Sequence, residues 1–444
     1  MSEDSNRSFV VDVSKVFTTR VLVRLLSLGT SVIIARVLGP EGQGIVSLTL
    51  MVPFALAVIG ELGIESANVF YTSRGKIDRK YAVGNSIFLT FTWTLLLIAI
   101  FLLALPFVRD RFLQGIDIGL ILIALLIFPL DFFMSSIRGV IISEHRINLY
   151  NAIFIINIAL TFIFTTVLVL FMNVGVYGAV IANLSGSMAG ALLVYFGYLV
   201  RTRLKHALSF TDMKRQVSYG LMPYLANLFS FLNYRLDIFI ISYFLDVKEV
   251  GYYAVAVALT SRLHELPQSI MTIFFPLTSA QSEEEKLQYT PNVFRKTGLL
   301  MLLVGVVIIA VARPGIVFVL GDRFLPSVMP FILLVIGRII IRGNVGILSS
   351  DICGRGKPYI ITIISSILLP ISIGANIMLI PRYGIIGSAI ASIIVAIIHE
   401  VMVSLAYLRV SGSYFGVLLP DFRDVADIFR EGKDYLFRLF RRKR

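Results

Sequence analysis

The chain has 444 residues, 57% of them hydrophobic and 15% charged, with a formal net charge of +13 and a mean hydropathy of +0.86. Soluble domains carry about 45–50% apolar and about 25% charged residues, so this composition excludes an ordinary soluble protein and points to a bilayer. One cysteine, Cys353, excludes an internal disulfide and a cysteine-based metal site.

Residues 1–15 are polar, with no small-residue cleavage site after a short apolar core, and are expected as a cytoplasmic segment rather than a removable leader. Apolar stretches long enough to cross a hydrocarbon core of about 30 Å then follow one another. Twelve are expected, at 16–38, 42–70, 82–107, 118–140, 149–172, 176–200, 217–244, 250–276, 297–320, 326–349, 358–380 and 384–408. Long apolar runs without alternation exclude a β-barrel, so the expected fold is an all-α integral membrane bundle. The odd-numbered connections carry fewer than half the Lys and Arg of the even-numbered ones, which predicts cytoplasmic N- and C-termini. Residues 411–444 are too charged for a further span. There Phe422, Val425, Ile428, Phe429, Leu436, Phe437, Leu439 and Phe440 recur at near-helical spacing before Arg441-Arg442-Lys443-Arg444, the pattern of an interfacial helix on anionic lipid. The positive charge therefore argues for lipid contact and not for nucleic acid.

The chain repeats itself. Ile33-Ile34-Ala35-Arg36-Val37-Leu38-Gly39-Pro40-Glu41-Gly42-Gln43-Gly44 returns 207 residues later as Ile240-Ile241-Ser242-Tyr243-Phe244-Leu245-Asp246-Val247-Lys248-Glu249-Val250-Gly251, matching at Ile33, Ile34, Leu38 and Gly44. Val174-Gly175-Val176-Tyr177-Gly178-Ala179-Val180-Ile181-Ala182 returns at an offset of 209 as Tyr383-Gly384-Ile385-Ile386-Gly387-Ser388-Ala389-Ile390-Ala391. Two echoes at nearly one offset predict duplication into six-helix lobes, 16–205 and 206–410, with the basic stretch at 201–216 between them. Paired hydrophobic repeats are the build of a transporter.

With Arg36, Arg138 and Arg313 counted among the connections, six arginines remain inside the expected spans: Arg20, Arg24, Arg235, Arg262, Arg338 and Arg342. An arginine at a helix centre costs about 2.5–3.5 kcal/mol on insertion scales, so each must snorkel, pair or face a polar interior. Arg20 and Arg342 sit near cytoplasmic ends and can snorkel. Arg24, Arg235, Arg262 and Arg338 lie near helix centres and are the candidate site for an anionic lipid phosphate, which guanidinium binds bidentately. Acids accompany them. Glu61 and Glu65 lie at the depth of Arg20 and Arg24 and are read as an ion-pair cluster or a coupling-ion site. Asp237 is two residues from Arg235 and Glu265 three from Arg262, spacings read as partial neutralisation. Asp131 and Glu400 are isolated acids, open to ion coupling or to helix–helix hydrogen bonding.

Enzyme motifs are incomplete. Gly356-Lys357 runs into Pro358 without a P-loop, and His264-Glu265 and His399-Glu400 lack the second histidine of a zinc motif, having Gln268 and Val403 in its place. No cofactor or metal is expected. A membrane glycosyltransferase or polymerase would need an outer domain or acidic outer loop that the spacing of the spans does not leave.

At Ala35–Gly44, at Glu249-Val250-Gly251-Tyr252-Tyr253-Ala254-Val255-Ala256, at Gly321-Asp322-Arg323-Phe324-Leu325-Pro326 and at 379–389, the sequence resembles the polysaccharide (O-antigen type) flippase family. That family lies within the multidrug/oligosaccharidyl-lipid/polysaccharide exporter superfamily. The resemblance implies two lobes around a central cavity and a multi-pass protein of the cell membrane. It implies a polyprenyl-linked oligosaccharide as cargo, with glycan polymerases or glycosyltransferases as neighbours. It also implies a pyrophosphate role for Arg24 and Arg262, on the first and eighth helices. Relatives that flip peptidoglycan precursors have two further helices, so that cargo is not expected here. A cation-coupled drug or metabolite antiporter, a membrane glycosyltransferase or polymerase, and a non-transporting scaffold remain as alternatives at this stage.

Overall fold

The computed structural model describes residues 3–203 and 206–421. The amphipathic pattern expected over 411–444 lies, from residue 422 onward, outside the described residues, as does the side chain of Arg20. Among the described residues all regular structure is helical: α1 (Glu3–Gly60), α2 (Ile64–Ser73), α3 (Arg79–Phe112), α4 (Ile118–Leu125), α5 (Ile127–Ser143), α6 (Ile147–Thr165), α7 (Val176–Val194), α8 (Phe210–Phe244), α9 (Val247–Leu263), α10 (Glu265–Ala280), α11 (Glu283–Leu320), α12 (Val328–Val335), α13 (Val345–Gly354) and α14 (Pro358–Ser411). Eight helical stretches among them are long and apolar enough to cross a membrane. The protein is therefore a multi-pass membrane protein, with exposed apolar side chains such as Phe91, Leu103, Phe107, Val307 and Phe318 facing outward as lipid contact requires.

Local chemistry sets the helix ends. Asp78 caps α3 by accepting from Lys80 N, and Asp117 caps α4 by accepting from Gly119 N at 2.6 Å. Asp117 lies between spans, where the Tyr177 hydroxyl (2.8 Å) and then the Gly119 amide hold its carboxyl below the usual carboxylate range. At α11, Ser282 and Glu285 form a capping box, with Glu285 Oε2 accepting from Ser282 N at 2.9 Å.

The long helices α1 and α14 each turn at a glycine. Gly39 has φ 69° and ψ −173°, followed by Pro40, and Gly384 has φ 59° and ψ −143°. Gly175, which opens α7, takes φ 71° and ψ −144°, almost the values of Gly384, its echo 209 residues on. The second sequence echo is therefore a repeated backbone conformation that favours glycine. The first echo is a repeated contact. A Cβ on Gly44 would meet the carbonyl of Val247, and a Cβ on Gly251 would meet that of Pro40. Since 44 pairs with 251 and 40 with 247 in the repeat, the two turns touch reciprocally, as two copies related by a two-fold axis do.

Several expected spans are interrupted. The stretch 42–70 breaks where Leu62 (φ 47°) and Gly63 (φ 67°) separate α1 from α2. The stretch 250–276 breaks at His264, between α9 and α10, three residues before Pro267. The stretch 118–140 steps from α4 to α5 at Leu126, three residues before Pro129. Proline has no N–H for the carbonyl four residues back, and both steps fall beside that lost bond. The stretch 326–349 is divided into α12, a π-helical turn Ile336–Ile341 and α13.

The chain forms two compact units, Met1–Phe231 with Asp246–Gly251, and Leu232–Leu245 with Tyr252–Arg444. In the first, a buried amide network ties α2, α3, α5 and α8 together. Asn68 Nδ2 donates to Ser86 Oγ and to the Ser136 carbonyl, both at 2.8 Å, Gln216 Nε2 donates to Asn68 Oδ1 at 2.6 Å, and Asn85 Nδ2 donates to Gln216 Oε1 at 2.8 Å. Each amide of this network finds a partner, which is what low-dielectric surroundings demand. Glu144 Oε1 accepts from Arg79 and from the Tyr198 hydroxyl, and Glu144 Oε2 forms an ion pair with Arg146, each at 2.8 Å. In the second unit Asp351, fully buried, accepts from Thr290 and pairs with Arg355, which also reaches Glu283.

Candidate functional site

Two groups of charges stand apart from these structural staples, one in each unit. In the second unit, Asp237 of α8 pairs with Arg338 of the π-helical turn, Oδ2 to Nη2, at 3.2 Å. Their residues are 7% and 6% exposed, so both charges are out of solvent. The Tyr253 hydroxyl of α9 donates to the same Oδ2 at 2.7 Å, and the backbone N–H of Ile238 donates to Oδ1 at 2.9 Å. The Ser388 hydroxyl lies 3.1 Å from the Tyr253 oxygen and 2.7 Å from Asn376 Oδ1, either of which can accept its one proton. Asn376 and Ser388 flank the turn of α14 at Gly384, so one network links α8, α9, the π-helical turn and both arms of α14. The π turn, an irregularity common at functional places, presents Arg338 to this network.

Asp237 hydrogen-bonds Arg338 and not Arg235, for which partial neutralisation was expected. Residues two apart on a helix face different directions. Arg235 is half-buried, and among the described residues it donates no hydrogen bond and joins no ion pair. The field of the Asp237–Arg338 pair still reaches it. Arg262, also half-buried, stands in the last turn of α9, where a cation complements the helix dipole, and the break at His264 separates it from Glu265, the first residue of α10. On α14, His399 is buried with Nδ1 unpartnered, and Glu400 has one carboxylate oxygen buried without a partner. Arg342 is close to both His264 and His399.

In the first unit, Arg24 is half-buried on α1. Glu65 pairs with Arg138 of α5, Oε2 to Nη2, at 2.9 Å, rather than with an arginine of the first helix. Asp131, two turns before Arg138 on the same face of α5, accepts from Ser187 at 2.7 Å. These residues line a cavity of about 490 Å³ with Glu61, Asn157, Phe54 and Phe154. Arg138 closes the apolar run 118–140. Its seven-residue spacing from Asp131 was the signal that it belongs to a buried face.

The comparisons with known proteins bear on this arrangement. The sequence model of the family described as polysaccharide biosynthesis protein matches residues 33–329, more than half of the chain. The chain belongs to this family. No curated protein sequence matches it significantly. Among solved structures, the polysaccharide biosynthesis chain is similar to the lipid II flippase MurJ in an inward closed conformation, with a TM-score of 0.74 and 17% identity, covering 97% of this chain and 92% of that one. It is also similar to an inward-facing multidrug resistance MATE family transporter of the MOP superfamily, with a TM-score of 0.70 and 14% identity over 88% of this chain and 96% of that one. A third likeness is to a MOP superfamily transporter from Pyrococcus furiosus Vc1, whose binding pocket is described as having reverse polarity; the TM-score is 0.58 and the identity 15%, over 89% and 94% of the two chains. At these identities the likeness is one of fold.

Proposed function

We propose that this polysaccharide biosynthesis protein is a flippase of the cell membrane, carrying a polyprenyl-phosphate- or pyrophosphate-linked oligosaccharide from the inner to the outer leaflet. In this reading twelve spans form two six-helix lobes, 16–205 and 206–410. Both termini are cytoplasmic, on the side of the glycosyltransferases or polymerase that handle the same cargo. Arg24, Arg235 and Arg262 hold the lipid phosphate, and Arg338, held by Asp237, adds to the positive field around Arg235. Glu65 and Asp237 serve as ion-pair groups, and Glu265 and Glu400 as ion-pair or coupling-ion groups.

The observation that carries the reading is Arg235. A guanidinium in an apolar helix, with no hydrogen bond or ion pair among the described residues, has its donors available to an anionic ligand. Each donor to a phosphate oxygen is a charge-assisted bond, stronger than its neutral counterpart. Full-length protein in liposomes, given a fluorescent polyprenyl-pyrophosphate oligosaccharide and an outside quencher, tests this. Rapid exposure of the probe is expected, falling by roughly tenfold or more in Arg235→Ala and Arg262→Ala. Unchanged exposure in both variants would overturn the anion site.

A second reading, a cation-coupled antiporter of the same superfamily, draws on Glu61 and Asp131 in the first unit and on the unpartnered oxygen of Glu400. It requires transport driven by a proton or sodium gradient and lost in Glu400→Gln.

A further inference from the structure

The cavity among α1, α5 and α6 is not suited to the phosphate. It lies wholly within the first unit, and its volume of about 490 Å³ falls in the range of small-molecule pockets, about 300–1,000 Å³. Its charged lining is acidic in balance. Glu61 and Asp131 face it, and among the described residues Arg138, the single cation lining it, is paired with Glu65. An anion entering this space would meet carboxylates.

What the lining offers is hydrogen bonding beside apolar surface. Among the described residues neither the Glu61 carboxylate nor the Asn157 side-chain amide makes a hydrogen bond. Asp131 uses one oxygen for Ser187 and keeps the other. Carboxylates accept only, and the amide both donates and accepts. The opposite character comes from Phe54, Val58, Ile153 and Phe154, with the Phe154 ring held between the Arg138 guanidinium (5.1 Å to the centroid) and the edge of Tyr150. Glu61 is presented rigidly. It follows the last turn of α1, and the next two residues take left-handed conformations, where Gly63 packs so close to the Gly220 carbonyl that no Cβ fits.

We propose that this cavity, built from Glu61, Asp131, Asn157, Phe54 and Phe154, binds a pyranose unit of the translocated oligosaccharide. Sugar hydroxyls donate to Glu61 and Asp131 and exchange hydrogen bonds with Asn157, and the C–H face of the ring packs on the phenyl rings. The assignment rests on the flippase reading and gives it a second, separate subsite: the arginines take the phosphate and this cavity takes the sugar.

The test compares two probes in liposomes bearing the full chain: the lipid-linked oligosaccharide extracted from host cells lacking this protein, and bare polyprenyl pyrophosphate. Outer-surface exposure of each is read with a membrane-impermeant hydrolase, in wild type, Glu61→Gln and Asn157→Leu, after thermal unfolding has shown the variants folded. The expected result is that each variant slows the glycosylated probe roughly tenfold more than the bare carrier, the effect of losing one hydrogen bond to a charged or buried group. Equal slowing of both probes, or none, overturns the sugar subsite. Loss of pH-gradient dependence in Glu61→Gln, with both probes affected alike, makes the cavity a proton site instead. Saturable tetraphenylphosphonium binding that depends on Glu61 makes it a cation pocket. A wild type that moves neither probe defeats the flippase reading itself, and this assignment with it.

Discussion

Asp237 and Arg338 are the residues on which the second unit is most sensitive. Two charges removed from water are tolerable only while each faces the other and the remaining lone pairs are filled, as Tyr253 and the Ile238 amide fill them here. Removing one member strands the other, at a cost of about 3–5 kcal/mol. Asp237→Asn is therefore expected to lower the thermal unfolding midpoint in detergent sharply. Tyr253→Phe, which deletes one hydrogen bond, should cost about 1–2 kcal/mol. A paired Asp237→Asn, Arg338→Met change should recover much of the loss, and a double variant no better than the single would show that the pair is not what holds these helices. The sequence marked both residues as charges that a bilayer does not accept, since that follows from hydropathy alone. It did not show that they face each other, because they are 101 residues apart and only tertiary packing joins them. The acid at i+2 from Arg235 reaches it through its field while bonding Arg338 directly, and the consequence is that Arg235 keeps donors to offer.

At the level of elements, the repeated turns carry the most information. The echo of Gly44 in Gly251 was legible as a pattern, and the structure gives its physical content: each glycine seats against a carbonyl of the other copy's turn. A side chain at either position has to push backbone aside. Gly251→Val is expected to cost about 1–3 kcal/mol or more through overpacking and to reduce folded yield. Gly315→Ala, in α11 with open space around it, should be neutral or gain up to about 1 kcal/mol from helix propensity. Size-exclusion profiles and unfolding midpoints of the two variants make the comparison, and equal behaviour would remove the steric argument. The helix interruptions were less legible. Hydropathy averaged over a span is blind to a break whose flanks are both apolar, as at Leu62-Gly63. Pro129 and Pro267 stand in the sequence inside apolar runs, but whether a proline bends a helix or ends it depends on what else satisfies the freed carbonyl.

For the whole molecule the question is what moves the cargo. The sequence carries no nucleotide-binding loop, and on the proposed flippase reading the work comes from gradients or from the cargo's own consumption outside. An inside-negative potential favours outward movement of an anion by about 2.3 kcal/mol per charge per 100 mV, roughly a 50-fold bias at equilibrium for each charge that crosses uncompensated. If the arginines stay with the protein while the phosphate crosses, the charge transferred is the cargo's. Imposing an inside-negative potassium diffusion potential on proteoliposomes should then raise the outer-leaflet fraction of a polyprenyl-pyrophosphate probe, and reversing its sign should lower it by a similar factor. If protons or sodium ions cross with the cargo and cancel its charge, the outer fraction will ignore the potential and follow the ion gradient instead. The acidic groups Glu61, Asp131 and Glu400 would then be the residues whose neutral variants abolish that response. The sign and size of the potential dependence thus separate a carrier driven by its anionic cargo from an ion-coupled one, using the unmodified protein and before any sugar has been identified.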